Sequence, residues 1–160
     1  MTTQTEPANP GPNHIPTASD PSAFANWPNG LYEDMKANEF SGVVGSTLVS
    51  ETDKVRVWHL RLPPGKRCPF HRHVNPYFWT AHNAGKARGF FSSGTIKDVE
   101  HYAGETKHFF YGAGEYMLHS VQNIGDTELL FTTVEFLDGP NTPLDVPDAV
   151  RLKIPGSTAA

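Results

Sequence analysis

Short runs of alternating or β-branched apolar residues fill the middle of the chain, each closed by Gly, Pro, Asn, Asp or Ser. Residues 40–50 (FSGVVGSTLVS) and 55–62 (VRVWHLRL) flank a polar turn at 51–54, and Pro63-Pro64-Gly65 ends the second run. A third run starts near Cys68, passes through His71 and His73, and is interrupted at Asn75-Pro76. It resumes over 77–81, and runs at 86–91, 95–102, 106–111, 116–123 and 128–137 follow at regular intervals. About seven or eight short strands at such spacing, without a long amphipathic helix, predict an all-β sandwich or small barrel. A parallel architecture is excluded, because crossover helices are missing.

The ends read differently. Residues 1–30 carry six prolines among Thr, Ser, Asn and Asp, which predicts a flexible tail in which only Phe24 and Trp27 can pin the chain to a neighbouring surface such as that of a second subunit. A single-turn helix is expected at 31–38 (LYEDMKAN). The domain proper is placed at 31–140, and 141–160, again proline-punctuated, is expected to pack on the outside.

Composition narrows the function classes. With 13 basic and 17 acidic residues the net charge is −4, and no Lys/Arg cluster offers a track for phosphates, so no nucleic acid or anionic membrane partner is expected. The first ten residues lack the basic and apolar regions of a signal peptide, and no apolar run approaches membrane-spanning length. One cysteine, Cys68, excludes an internal disulfide framework. A cytoplasmic location is expected. Motifs for nucleotide phosphates, serine hydrolysis and H-E-x-x-H zinc chemistry are missing.

Histidine changes the picture, with eight in 160 residues. His71-Arg72-His73 lies in a predicted strand, where positions i and i+2 share a face about 7 Å apart. Two imidazoles so placed can converge on one ion at about 2.0–2.1 Å each. His119 sits in a later predicted strand, with Asn123 four residues on. The other histidines carry less. His14 falls in the tail, His59 reads as a core histidine, and His82 as surface or peripheral to the site. His101 or His108 would replace His119 if the strand register differed.

Gly65, His71, His73, Gly85, His119 and Asn123 together resemble the two-part cupin signature, G-x5-H-x-H-x3,4-E-x6-G followed by G-x5-P-x-G-x2-H-x3-N. Two departures stand out. The glutamate position falls on Tyr77 or Phe78, and four residues, not two, separate Gly114 from His119, with Gly112 in the proline position. The resemblance implies a metal centre of His71, His73 and His119 without the usual carboxylate. Three neutral imidazoles leave a divalent ion near +2, a stronger Lewis acid that favours anionic chelating ligands. Iron(II) is the implied metal, with zinc, nickel or manganese as alternatives. The resemblance further implies an all-β jelly-roll β-sandwich or small barrel, a homodimer and a small-molecule substrate. The leading expectation is a non-haem iron(II) dioxygenase acting on a small anionic chelator. A redox-silent lyase or isomerase and a non-catalytic ligand-binding shell are the alternatives.

Proton-transfer candidates follow from strand parity. Tyr77 shares the face of His71 and His73, and Glu115 that of His119, so both are catalytic candidates. Trp79 continues the Tyr77 face as cavity wall. Cys68, three residues before His71, belongs on the opposite face of a regular strand. Arg61, Arg72 and Arg88 are candidate anchors for a substrate carboxylate.

Overall fold

The apolar runs form nine strands: β1 (Thr47–Glu51), β2 (Val55–Leu62), β3 (Arg67–His73), β4 (Tyr77–Ala81), β5 (Gly85–Phe91), β6 (Ile96–His101), β7 (Thr106–Phe109), β8 (Met117–Asn123) and β9 (Leu129–Phe136). They are seen in a computed structural model that describes residue 3 and residues 13–156. All strand pairs are antiparallel, in a five-stranded sheet ordered β1-β2-β9-β4-β7 and a four-stranded sheet ordered β3-β8-β5-β6. β6–β9 fold back along β2–β5, so β9 lies between β2 and β4 and β8 between β3 and β5. That interleaving is the jelly roll that the cupin resemblance implies. No helix among the described residues is long and apolar enough to cross a membrane.

The run at 40–50 forms a strand only from Thr47. A Cβ on Gly45 would lie 3.0 Å from the His59 carbonyl oxygen and from the Trp58 Cβ, and one on Gly42 would lie 2.9 Å from the Leu144 Cβ. This stretch of backbone therefore lies flush against Trp58 and the C-terminal segment. Val146 and Val150 of that segment pack against Val44, Leu48 and Trp58, and Arg151 bridges to Leu48.

The expected free tail is corrected from residue 13 onward; residues 1–12, Thr3 apart, and 157–160 lie outside the described residues. Phe70, Phe90 and Leu118 point away from the barrel interior, and this apolar outer face must be covered. Trp27, Leu31 and Met35 cover it within the same chain. Trp27 stacks on Phe70 at 5.5 Å and donates its indole N–H to the Gly94 carbonyl at 3.2 Å. Helix α1 (Leu31–Ala37) is seven residues long, about two turns rather than one, and presents Leu31 and Met35 to the sheet. Further upstream, Ile15 and Ala18 donate backbone N–H groups to Tyr116 and Ser92, so the segment runs along the edge of the barrel.

Candidate metal centre

His71 and His73 alternate along β3, and His119 on β8 pairs directly across from His71. Their ligand nitrogens all lie within 4.8 Å of one another. The His71 Nδ1–H donates to the Pro69 carbonyl at 2.8 Å, which leaves Nε2 free to face its partners. The Nε2 atoms of His73 and His119 are 3.1 Å apart. Two ligands at 2.0–2.1 Å from one ion, at angles between 90° and tetrahedral, stand roughly 2.9–3.4 Å apart, so the spacing fits a shared cation. Burial drives all three imidazoles toward the neutral, ligating form. It lowers His71 to about 4, and holds His73 and His119 well below the ordinary histidine range, with mutual proximity adding to the effect.

The strand carrying the pair is not regular. Cys68 pairs with Val121 while His71 pairs with His119, so β3 holds one extra residue between them, a β-bulge. The bulge overturns the parity expected for Cys68: its Sγ lies 3.7 Å from His71 Nδ1, on the interior side. Burial pushes the thiol up to about 12, so it stays neutral and acts as a small apolar filler. The Phe70 N–H, freed by the bulge, donates to Asp34 of α1 at 3.0 Å. The same carboxylate accepts from Arg67 at 2.9 Å, and Arg67 also reaches Ser120 at 2.7 Å. None of these partners is suggested by local sequence pattern, because they join residues more than thirty positions apart.

Tyr77 sits where its parity places it. Its ring stacks on His73 at 4.0 Å and on Phe109 at 4.5 Å. Burial first, then Tyr111 and the nearby Glu135, hold its hydroxyl well above the ordinary phenol range, so it is a poor base. It acts as a wall that fixes the His73 ring. Glu115 is a correction. Its carboxylate accepts the backbone N–H of Gly112 and closes the turn before β8, so it does not face the histidines.

His59 is exposed on β2, where Arg56, Trp58 and Leu62 are buried, which corrects its reading as a core residue. His82 donates to or accepts from Thr132 at 2.7 Å on the surface, and His108 packs on Phe78 outside the cluster. His101 pairs with Glu105 at 2.9 Å and packs on Trp79 and Phe131, apart from the ligand set. The anchors Arg61 and Arg88 are engaged by Glu128 and Asp98, while Arg72 lies over Tyr116 at 3.9 Å and near Glu39.

A cavity of about 600 Å³ opens between the sheets, with the three histidines on one wall. Trp79, Phe91, Phe109, Met117, Val121 and Phe131 make most of its lining apolar. Asn13, His14 and Ile15 border it, and His14 Nδ1 meets the Tyr116 backbone at 3.0 Å, so the reading of His14 as a free tail residue is also corrected. Sequence reasoning missed one buried acid. Glu135 accepts from the Trp58 indole at 2.8 Å and Asn75 at 3.2 Å, and burial raises its carboxyl above the ordinary range. Its signal was an acid in phase with Leu129, Phe131 and Thr133 on β9.

The remaining motif positions have structural reasons. Gly65 has φ +79°, a left-handed conformation that favours glycine, and a side chain at Gly85 would run into Leu129. Asn123 is buried and ties its turn together, donating to Leu62 and Thr127 at 2.8 and 2.7 Å and accepting from Gly125 at 2.9 Å.

Among solved structures the chain is similar to cupins. A cupin domain from Bordetella pertussis Tohama I shares 25% identity over 54% of this chain and 85% of its own, with a TM-score of 0.48. A protein with a double-stranded β-helix domain from Klebsiella pneumoniae shares 22% identity over 57% and 75% of the two chains, at a TM-score of 0.45. A cupin-family protein from Methanocaldococcus jannaschii shares 18% over 54% and 73%, at 0.44. No family model and no curated protein matches the chain.

Proposed function

We propose that this protein is a non-haem iron(II) dioxygenase that uses His71, His73 and His119 to hold its metal and acts on a small anionic chelating substrate. The observation that carries the reading is the convergence of three neutral, largely buried imidazoles on one wall of a mostly apolar cavity. Three protein ligands leave coordination positions open, as a catalytic rather than a closed structural site requires. Iron(II) bound there supplies one-electron chemistry toward dioxygen, which no side chain of the cavity can.

The chain's own residues support that chemistry by orientation and exclusion. Pro69 fixes which His71 nitrogen is available, and the Tyr77–Phe109 stack holds the His73 ring. The apolar lining keeps bulk water from a bound substrate. Proton-shuttling lyase or isomerase mechanisms lose support here, since Glu115 closes a surface turn and the Tyr77 hydroxyl is held protonated.

Elemental analysis of protein purified without affinity-tag metal carry-over tests the proposal, beside a His71→Ala/His73→Ala double variant. Near-stoichiometric iron in the parent, absent from the variant, is the expected result, and oxygen-uptake screens with small chelating acids follow. Zinc, nickel or manganese in its place would move the assignment to lyase or isomerase chemistry. No metal in either protein after reconstitution would leave a ligand-binding shell.

A further inference from the structure

We infer that the ligand of this cavity is a small organic acid with two anionic groups, one held at the three-histidine centre and the other between Lys97 and Lys107. The inference rests on the metal reading above and adds the second recognition point. β6 and β7 are the outermost strands of the two sheets on one side of the barrel, and the short turn 102–105 joins them. Lys97 on β6 pairs across from Gly89, and Lys107 on β7 from Trp79. Directly paired residues share a sheet face, and Gly89 and Trp79 line the cavity, so both lysines project to its side. Both line the cavity and are exposed, which places them on its rim.

Charge accounting separates these two lysines from the others. Lys36, Lys54 and Lys86 face carboxylates within ion-pair distance, and so do the arginines, including the three that were candidate substrate anchors. Among the described residues, the lysines without such a partner are Lys66, Lys97, Lys107 and Lys153, and only the middle two border the cavity. The one carboxylate on the cavity wall, Glu105, is engaged by His101 at 2.9 Å. The lining thus carries two lysines against one carboxylate, which makes this opening positive in a chain of net charge −4. Such a rim concentrates anions and steers them inward. Around the histidines and toward the lysine rows the wall is apolar, with Phe91, Phe109 and Val121. The complementary ligand has an anionic chelating end, an apolar or aromatic body and a second anion.

The test uses the full chain loaded with cobalt(II), whose visible absorption reports ligands entering the metal's coordination sphere. Two probes are titrated, 4-(carboxymethyl)benzoate and phenylacetate, against the parent and the Lys97→Ala/Lys107→Ala and Lys97→Arg/Lys107→Arg variants. In the parent the dicarboxylate is expected to bind about tenfold more tightly than the monocarboxylate. The alanine variant should lose that preference while keeping its cobalt stoichiometry and its phenylacetate affinity, and the arginine variant should retain the preference. Equal binding of both probes by the parent, or a preference that survives in the alanine variant, would overturn the inference and leave the metal reading intact. Failure of the parent to take up cobalt would instead strike at the metal reading itself.

Discussion

A histidine ligates only when it is neutral and its free nitrogen points at the ion, and those two demands decide which of the eight histidines matter. His71 meets both through burial and its bond to Pro69. His59, His82 and His108, on outward faces, do not share the cluster. The same reasoning predicts a contrast among substitutions. His119→Ala should abolish stoichiometric metal binding, whereas Glu115→Gln and Tyr77→Phe should keep it. Neither of the latter two should cost more than about 1 kcal/mol in stability, since one removes a charge from a surface turn and the other a single hydroxyl. Metal content and denaturant melts of the three variants decide it, and metal loss in Glu115→Gln would restore that residue to the site. The pair His71/His73 and the strand of His119 were legible because a two-residue period survives in sequence. Cys68 was not, because a bulge reverses parity without leaving a residue-type mark, and Glu115 was not, because its turn partner is a backbone N–H.

Most strands and their bounds followed from the apolar runs and their Gly, Pro and Asn punctuation, whereas their order in the sheets did not. What failed was the assignment of residues 13–30 as a tail. Proline and polar composition outweighed Phe24 and Trp27, which pack with Leu31 and Met35 of α1 into one apolar cluster. Nor does a run such as Phe70, Phe90, Leu118 announce that the far side of a sheet needs a cover, because the three lie on separate strands. The N-terminal element does more than cover. Asp34 satisfies the Phe70 N–H that the bulge leaves unpaired and holds Arg67 against Ser120, so α1 supports the backbone from which His71 projects. Asp34→Ala is therefore expected to cost about 1–3 kcal/mol by stranding that buried donor, and to weaken metal binding as well. Denaturant melts with and without metal, beside a metal titration, measure both effects. Unchanged metal affinity in a destabilised variant would confine Asp34 to the fold and break the proposed link between helix and centre.

At the scale of the molecule, the buried ionisable groups set how stability follows pH, and they pull in opposite directions. The histidines of the centre are held below their ordinary range by burial, so the unfolded chain takes up protons near 6.5 while the folded chain resists. Their contribution is fully present above about 6.5 and is lost as pH falls through the folded value, which for His71 is about 4. That interval corresponds to about 3 kcal/mol for His71 alone. Glu135, raised by burial, contributes stability below 4.5 that is lost as pH rises through its folded value, so it adds nothing to the loss on acidification from neutrality. Urea melts of the metal-free protein at pH 7.5, 6 and 5 should show stability falling across the series, with a shallower fall in His71→Gln. The metal-loaded protein should start higher and lose its advantage over the same range, because the ion and the proton compete for the same nitrogens. A flat profile from pH 7.5 to 5 would mean that these imidazoles reach water and titrate freely, and the dry three-histidine wall would go with it.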